Sequence, residues 1–404
     1  MSKVAFINMP AFGLINPTLP LAAELVRRGE EVTYYATEEF QDLIERSGAA
    51  FRTTARATSE QAVAALAGAT VSGAGLIEFT RALLVHTDVA LNGLLPVLRE
   101  NPPDYIVHDS YCVWGTYLAR LLSVPAIASI ATFAVNRWTL LASLSKTVPL
   151  VIQRRHDLRR LRLLAGNVIG KHSFPPPRLT SLMAGYEPLN IVFTSRMFQP
   201  LGHTFDRRFK FVGVMIDDPT DPGDVPRDAG INEPTVYISL GTVFHGQMRF
   251  YRTCVDALRG LDVRVVIKIG PNTDVDALGP LPPNFIPQSW IPSQVELLRR
   301  CDLFVTHGGM NSVSESLYFG VPVIVIPQAM EHEWVGQRVR RLGAGTVLHG
   351  ADLTAHSLRR AATDTLSSQR YRDAAKRLGS SLREAGGKVR AADEILQFVA
   401  KSHH

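Results

Sequence analysis

Short apolar runs alternate with longer stretches of helical periodicity along most of the chain. In the first half the strand-like runs read VAFINM, EVTYYA, YIVHD and PAIASI, and a helix-like stretch follows each of them. In the second half the runs VYISLG, VRVVIKIG, LFVTHGG and PVIVIP repeat this arrangement. Short apolar strands joined by helices are typical of parallel sheets that are covered on both faces. The pattern therefore predicts an α/β protein made of two such sheets.

Residues 216–234 are rich in proline, glycine and aspartate, and they separate the two halves like a linker. We predict one Rossmann-like domain over residues 1–215 and a second over residues 235–385. Residues 386–404 are predicted to form a C-terminal helix and tail that packs back on the N-terminal domain. Ligands of such sheets bind at the carboxyl ends of the strands. Two facing domains would gather these loops around one interdomain cleft, so functional residues are expected in the loops that follow the strands.

The composition changes this picture little. Of the 404 residues, 46% are hydrophobic and 20% are charged, which is an ordinary globular balance. No apolar run approaches the roughly 18–20 residues that span a bilayer, and the N-terminus lacks the layout of a signal peptide. Cys112, Cys254 and Cys301 match no metal-binding spacing. We expect a cytoplasmic monomer or homodimer with reduced, buried thiols and no transmembrane segment.

The net charge is +6, and much of this excess lies in residues 153–172, which hold six Lys or Arg against one Asp. One interpretation is a helix face exposed to solvent. The other is a basic patch for an acidic acceptor, a carrier protein or weak association with a membrane surface. Aromatic residues are not interleaved with these charges, which argues against nucleic acid as a partner.

The stretch VTHGGMNSVSESLYFGVPVIVIPQAMEH, residues 305–332, contains the strongest candidate for a ligand site. A buried strand is predicted to end at Thr306, and His307-Gly308-Gly309 leads into a helix from about Asn311. The two glycines allow the backbone to approach a ligand closely. The N–H groups and positive dipole end of a helix N-terminus suit a phosphate. The segment SVSE, residues 312–315, also fits a capping box, which needs no ligand.

Residues before and after this stretch have chemistry suited to a nucleotide sugar. Trp290 is predicted on a loop, where its ring can stack on a flat base or cap the domain core. Gly241 and Thr242 end the run VYISLGT and can approach a diphosphate from the other side. Glu331 and His332 follow the run PVIVIP, and an acid beside a second polar group fits the hydroxyls of a sugar.

Taken together, these residues resemble the donor-binding domain of the GT-B glycosyltransferases, in particular the bacterial macrolide-type enzymes and their plant small-molecule counterparts. The resemblance extends from PAFGLINPTLPLAAELVRRG to EAGGKVRAADEIL. It implies an α/β GT-B fold, with two Rossmann-like domains that face an interdomain cleft. It also implies that Trp290 stacks on the nucleobase and that Glu315 binds the ribose hydroxyls. The other donor-binding residues that it implies are Ser293 and Gln294 near the nucleoside, Thr242, His307, Gly308, Gly309, Asn311 and Ser312 at the diphosphate, and Glu331 and His332 at the sugar.

Two positions in the motif leave the donor open. Glucose-using relatives usually carry Gln after the acid, whereas this chain has His332, so galactose or a deoxysugar fits the motif as well as glucose. The spacing around WIPSQ can slide by one residue, so the individual roles of Ser293 and Gln294 stay open. Either UDP or dTDP can be the nucleotide.

In this family the loop after the first strand normally reads Gly-His-x-x-Pro, and its histidine is the general base that a neighbouring aspartate orients. The matching stretch here is GLINP, residues 13–17, in which Asn16 and Pro17 are predicted as the N-cap and first residue of a helix. The matching aspartate is Asp109. Leu14 takes the place of the histidine and has no lone pair. Three explanations of the missing histidine are open. Asp109 or another base can serve an acidic acceptor such as a phenol, or the protein can bind its ligands without turnover. Leu14 can also be an introduced substitution.

Three other histidines are candidates for the missing base. His86 lies on a helix that is predicted to line the acceptor pocket. His108 precedes Asp109 on its strand and is predicted to pack in the core. His245 follows the run GTVF and can contact either substrate or neither.

Aromatic residues of the N-terminal half predict an apolar acceptor pocket. An aromatic-lined pocket suits a polyketide, macrolide, flavonoid or similar aglycone better than a sugar or a peptide. Simple packing in the core would account for each of these residues equally well. The residues predicted to line the pocket are Phe12, Phe79, Phe133 and Trp138.

These features predict inverting transfer of a sugar from an NDP-sugar to a hydrophobic small molecule, in a single in-line displacement. No cofactor and no metal are expected, because the helix N-terminus and His307 stabilise the leaving diphosphate and no Asp-x-Asp pair stands in a donor position. One alternative is a non-catalytic protein that binds the NDP-sugar or the aglycone. Others are an enzyme of the same fold that epimerises a nucleotide sugar and a peripheral lipid glycosyltransferase that binds through residues 153–172.

Overall fold

The computed structural model of the protein describes residues 1–54, 73–142, 154–172, 174, 186–216, 233–241, 247–270 and 273–402. The chain divides into two compact units. The first unit comprises Met1–Met215 together with Ala385–His404, and the second comprises Ile216–Glu384. Thr242, His245 and most of the predicted linker lie outside the described residues.

The first unit is built around a parallel sheet, which has seven strands in the described residues. The order across this sheet is β3-β2-β1-β4-β5-β6-β7. Four apolar runs of the sequence form β1, β2, β4 and β5, and the pattern did not predict the other three, short strands. The strands are β1 Lys3–Ile7, β2 Glu31–Ala36, β3 Ala50–Thr53, β4 Tyr105–Asp109, β5 Ala126–Ile130, β6 Leu189–Val192 and β7 Phe209–Phe211.

The second unit contains a parallel sheet of its own, with six strands in the part that the structure describes. Its order is β10-β9-β8-β11-β12-β13. The prediction of two parallel-sheet α/β domains is therefore confirmed. The strands are β8 Thr235–Ser239, β9 Arg264–Lys268, β10 Phe285–Gln288, β11 Leu303–Thr306, β12 Val323–Val325 and β13 Gly345–Val347.

Helices form most of the connections between successive strands. Those of the first unit are α1 Phe12–Ile15, α2 Leu19–Arg27, α3 Gln41–Arg46, α4 Gly73–Glu100, α5 Val113–Leu122, α6 Arg137–Ala142 and α7 Arg155–Gly170. Those of the second unit are α8 Met248–Leu258, α9 Gln294–Leu298, α10 Met310–Tyr318, α11 Met330–Leu342, α12 Ala355–Ser367 and α13 Gln369–Arg383. The last helix, α14 Gly387–Ser402, belongs to the first unit.

One helix among the described residues, the part of α4 at Ile77–Glu100, is long and apolar enough to cross a membrane by length and composition alone. Packing within the first unit accounts for its apolar side. Phe79, Leu83, Leu91 and Leu98 are all buried in the core of that unit. Since the core helix of a folded domain passes the same test, this helix is at most a weak indication of a membrane span.

The basic segment of the sequence forms α7, which is amphipathic. Leu161 and Ala165 are buried and pack with Leu84 of α4. The arginines Arg155 and Arg159 lie on the exposed side of the helix. The helix thus presents apolar residues to the unit and arginines to its surroundings, an arrangement that fits either interpretation of the segment.

The strand order reverses at one place in each sheet. In the first unit β1 lies beside β4, and in the second unit β8 lies beside β11. The chain winds outward in opposite directions from each of these pairs. Open parallel sheets bind their ligands at the carboxyl ends of the strands, at such switch points. The fold therefore makes the loops after β1, β4, β8 and β11 the candidate ligand sites.

Candidate functional site

In the first unit, Leu14 lies in a helical turn directly after β1. Its side chain is only 6% exposed and packs in the hydrophobic core. The helical turn begins at Phe12, and Ala11 takes the N-cap position. The prediction that Asn16 is the N-cap is therefore wrong, because Asn16 already continues the turn that starts four residues earlier.

A buried hydrogen-bond network holds this turn in place. The Asn8 side-chain amide donates to the Leu14 carbonyl oxygen at 3.1 Å and to Thr18 Oγ1 at 3.1 Å. Thr18 Oγ1 donates to the Ile15 carbonyl oxygen at 2.7 Å and shares a 2.6 Å hydrogen bond with the Tyr34 hydroxyl. The loop therefore has a fixed shape, while position 14 contributes packing instead of a proton acceptor.

Asp109 is a buried titratable group at this switch point. It is the last residue of β4, it is 1% exposed, and its Oδ1 accepts the Tyr111 N–H at 2.7 Å. Burial raises the pKa of Asp109 to about 7, against the lowering influence of the Tyr111 hydrogen bond and of His108. In the strand register Ile7 is the partner of His108, so Asn8 and Asp109 are the next residues along the two central strands. Asp109 thus lies beside the loop that carries Leu14, with a pKa suited to proton transfer near neutral pH.

His108 is held in the core and has partners on both ring nitrogens. Nδ1 lies 2.9 Å from the Asp109 carbonyl oxygen, and Nε2 lies 3.2 Å from Glu187 Oε1. Burial lowers the pKa of His108, but Glu187 and Asp109 together outweigh burial and leave the pKa raised. Gly115 gives the ring its space, since a Cβ there would lie 2.4 Å from His108 Cγ. The partner Glu187 was not recognised in the sequence, because nothing in its local pattern marks it.

His86 lies on α4 and is 2% exposed. Burial lowers its pKa. Its Nδ1 is buried and has no hydrogen-bond partner among the described residues. No hydrogen bond in the described part of the chain joins His86 to Asp109 or to the Leu14 turn.

Of the four aromatic residues predicted to line an acceptor pocket, three each pack against a different aromatic ring, and the fourth is exposed. Phe12 stacks edge-on against Phe40, with ring centroids 4.9 Å apart. Phe79 of α4 makes the same kind of contact with Tyr111, at 5.5 Å, and so reaches the loop that follows Asp109. The remaining two are Phe133, which contacts Phe198, and Trp138, which is exposed beneath the guanidinium of Arg137.

In the second unit, the imidazole of His307 occupies a slot at the switch point between β8 and β11. A Cβ atom at Gly241, which follows β8, would lie 2.7 Å from His307 Cε1. A Cβ atom at Gly309 would lie 2.6 Å from His307 Nε2. Any side chain at these two positions would therefore displace the ring, which explains why glycines stand there.

Gly308 lets the chain turn from β11 into α10. Its φ of +94° lies in the left-handed region, and a Cβ there would lie 2.6 Å from Val325 Cγ1. The helix begins at Met310 with Gly309 as an N-cap that has no side-chain hydrogen bond. Ser312 and Glu315 therefore lie inside the helix, and the capping-box interpretation of residues 312–315 is wrong. Asn311 and Ser312, both partly exposed, lie in the first turn, where N–H groups attract a phosphate.

His332, near the start of α11, packs edge-on against His307. The ring centroids are 4.6 Å apart, and His332 Nδ1 lies 3.4 Å from the Gln328 N–H that donates to it. Burial lowers the pKa of His332 to about 4. Burial, together with His332, lowers the pKa of His307 to about 3. Both imidazoles are therefore neutral near pH 7, and Glu331 precedes His332 in the first turn of α11.

Gln294 and Ser293 have different structural roles. Gln294 Nε2 donates to Glu315 Oε2 at 2.6 Å and to Ser312 Oγ at 3.1 Å, and Gln294 Oε1 accepts the Tyr237 hydroxyl at 3.3 Å. Ser293 is the N-cap of α9, where its hydroxyl accepts the Glu296 N–H at 3.2 Å. Burial raises the pKa of Glu315 to about 7, against the lowering hydrogen bond from Gln294. The structure thus brings Gln294, Ser312 and Glu315 together and leaves the Ser293 side chain outside this group.

Trp290 and Lys268 complete the carboxyl-end edge of the second sheet. Trp290, after β10, is 57% exposed, and Lys268 Nζ lies 5.1 Å from the centroid of its ring. Lys268 was not recognised in the sequence, although its place at the end of a predicted strand was a signal for it. Among the described residues, no group of three or more His, Cys, Asp or Glu side chains is arranged to hold a metal ion.

Comparison with known proteins fits this geometry. Residues 252–385 match the family described as Erythromycin biosynthesis protein CIII-like, C-terminal domain. The chain is 33% identical to the NDP-glycosyltransferase YjiC of Bacillus licheniformis over 98% of this chain and 98% of that protein. It is 28% identical to the oleandomycin glycosyltransferase of Streptomyces antibioticus over 100% of this chain and 92% of that protein. The crystal structure of CalG4, the calicheamicin glycosyltransferase, matches with a TM-score of 0.84 and 28% identity, covering 99% of this chain and 98% of its own.

The two parallel sheets and these similarities define the protein as a glycosyltransferase enzyme with the GT-B fold. Within that class, the chain belongs to the family of nucleotide-sugar-dependent glycosyltransferases that includes the bacterial macrolide-type enzymes. The resemblance drawn from the sequence motifs is confirmed at this level.

Proposed function

We propose that this enzyme transfers a sugar from a UDP- or dTDP-sugar to a hydrophobic small-molecule aglycone, with inversion at the anomeric carbon. The observation that carries the proposal is the placement of His307 between two glycines at the N-terminus of α10. A helix N-terminus and a neutral imidazole that donates a hydrogen bond suit the diphosphate of a leaving nucleotide. The names of the relatives, which include an NDP-glycosyltransferase and an oleandomycin glycosyltransferase, support the same donor and acceptor classes.

The donor is proposed to lie along the carboxyl-end edge of the second sheet. Trp290 stacks on the base, and Glu315, oriented by its hydrogen bond from Gln294, accepts the ribose hydroxyls. Thr242, Asn311, Ser312 and His307 hold the diphosphate, and Glu331 and His332 face the sugar. The α10 N-terminus and His307 stabilise the negative charge on the departing diphosphate, so we propose that no metal ion and no cofactor are needed.

The acceptor side is proposed to use Asp109 as its base. The acceptor oxygen attacks the anomeric carbon, the bond from that carbon to the diphosphate oxygen breaks, and the acceptor proton goes to the Asp109 carboxylate. A carboxyl whose pKa is about 7 can take a proton from an acidic hydroxyl such as a phenol more readily than from an aliphatic alcohol. The acceptor class that fits Leu14 is therefore a phenolic or comparably acidic aglycone.

A second candidate function rests on Leu14 itself. Its side chain packs in the core and offers no lone pair, so the protein can be a catalytically impaired enzyme that binds an NDP-sugar or an aglycone without turning it over. The loss of a general base typically costs about 10²–10⁴ in rate. A loss of rate of this size would abolish detectable transfer to alcohol acceptors before transfer to phenols.

The test measures nucleotide release from UDP- and dTDP-sugars with phenolic acceptors, with alcohol acceptors and with no acceptor. The protein is compared with Leu14→His, and with Leu14→Asn as a control that adds polarity but no base. We expect the unaltered protein to use phenols and Leu14→His to add alcohols, while Leu14→Asn adds none. Turnover by Leu14→His alone would favour the impaired or binding protein, and donor consumption without an acceptor would favour an epimerase.

A further inference from the structure

Lys268 is a cation at the edge of the second sheet where the donor is proposed to bind. It is the last residue of β9, and its ammonium stands over the indole of Trp290, with Nζ 5.1 Å from the ring centroid. Lys268 is only partly exposed. A lysine at this depth is held by its surroundings, unlike a side chain that extends freely into water.

The strand register places Lys268 in line with the diphosphate loop. Lys268 pairs with Ser239 of β8, and Ser239 pairs with Thr306 of β11, the residue before His307. The positive charge of Lys268 also acts on His307, where it contributes to the lowered pKa of that imidazole. The ammonium therefore influences both ends of the donor site, the indole at one end and the imidazole at the other.

Lys268 lacks an anionic partner within the part of the chain that the structure describes. Burial alone lowers the pKa of its ammonium, and no carboxylate raises it. A partly buried charge without a counter-ion is costly unless something supplies the opposite charge. In a site for a nucleotide sugar, the ligand itself carries that charge.

We propose that Lys268 binds the phosphate next to the nucleoside in the donor diphosphate, and that it fixes this phosphate while Trp290 stacks on the base. This inference rests on the proposed donor site described above. The Lys268 ammonium stands over the indole, so it lies at the nucleoside end of the diphosphate, whereas His307 packs against His332 at the proposed sugar end. The ammonium covers one face of an indole that is 57% exposed, which leaves room for a base on the other face.

Titration calorimetry with UDP, UMP and uridine, and in parallel with dTDP, dTMP and thymidine, tests this assignment. In Lys268→Met we expect the affinity for the nucleotides to fall about 10- to 100-fold, as the loss of a charged hydrogen bond predicts. The affinity for the nucleoside should stay unchanged, and Lys268→Arg should keep most of the nucleotide affinity. Arg264→Met is the matched control, because Arg264 begins the same strand at the opposite end and should not affect any of the ligands.

The other outcomes would contradict either the role of Lys268 or the proposed donor site itself. An equal loss of nucleoside and nucleotide affinity would overturn the proposal and leave Lys268 as a support for Trp290. Unchanged binding of all ligands would overturn it as well. If the unaltered protein bound neither series of nucleotides, the proposed donor site itself would be wrong, and the inference would fall with it.

Discussion

At the scale of a single residue, Asp109, the proposed base, also affects stability. It is buried at the end of β4, and burial raises its pKa from 3.8 to about 7. Below about pH 4 the carboxyl is protonated in both the folded and the unfolded state, so its burial as an acid carries no electrostatic penalty. As the pH rises from about 4 to about 7, the unfolded state ionises first, and the folded state loses stability relative to it. Above pH 7 the penalty is fully present.

We therefore expect Asp109→Asn to be more stable than the unaltered protein at pH 8, with an advantage that shrinks towards pH 4. Urea unfolding at several pH values measures the difference. The same variant should lose transfer while it keeps its affinity for the NDP-sugar, because Asp109 lies in the other unit from the donor site. The exposed Asp42→Asn is the control. A difference that does not change with pH would show that the charge of Asp109 is compensated in the folded protein.

The proposed donor site was inferred from residue types, since His307 and the two glycines after it belong to one recognisable motif. What could not be predicted is contact between residues that are distant in the chain. Lys268 and Trp290 meet because β9 and β10 are neighbours in the sheet. Glu187 meets His108 although it lies 79 residues further along the chain. Local pattern contains no information on such pairs.

At the scale of elements, two neighbouring residues between β10 and α9 have different structural roles. The sequence left the roles of Ser293 and Gln294 open. In the structure Ser293 caps α9, and Gln294 turns inward to Glu315 and Ser312. The first residue of a helix thus reaches the neighbouring helix α10, while the residue before it satisfies the end of its own helix.

We expect Ser293→Ala to lower the free energy of unfolding by about 1 kcal/mol, as the loss of an N-cap does, and to leave the affinity for uridine and UDP unchanged. Gln294→Ala should weaken both ligands roughly 3- to 10-fold, because it removes the hydrogen bond that orients Glu315. Calorimetry and urea unfolding on both variants give the two readouts. The opposite assignment, with weaker binding in Ser293→Ala only, would mean that the ribose contact comes from the residue before the helix.

The prediction of elements was most successful where the apolar runs were long. The runs that form the central strands of both sheets were identified, but β3, β6, β7, β10 and β13 were not. All five are strands of three or four residues, too short for periodicity to distinguish from a loop. The start of α1 was also predicted wrongly. The Leu14 and Ile15 N–H groups donate to the Ala11 carbonyl oxygen and close a helical turn, but the sequence has no typical N-cap residue at its start.

At the scale of the whole molecule, the chain returns to its first unit after completing the second. In α14, the residues Ala391, Ala392, Ile395 and Val399 are buried. Ion pairs join the helix to the body of the first unit, among them Arg28 with Asp393 at 2.5 Å and Lys210 with Glu394 at 2.7 Å. The C-terminal segment therefore belongs to the first unit in structure, although it follows the second unit in sequence.

This arrangement predicts that a destabilising substitution in α14 lowers the stability of the first unit and leaves the second unit unaffected. We expect Ile395→Ala to destabilise the first unit by about 2–5 kcal/mol, because it leaves a cavity at a fully buried position. The affinity for UDP should remain, because the residues of the donor site all lie in the second unit. Thermal unfolding and calorimetry with UDP measure the two effects, and Gln397→Ala, an exposed position on the same helix, is the control. Parallel loss of stability and UDP affinity would show instead that the two units fold and bind as one cooperative body.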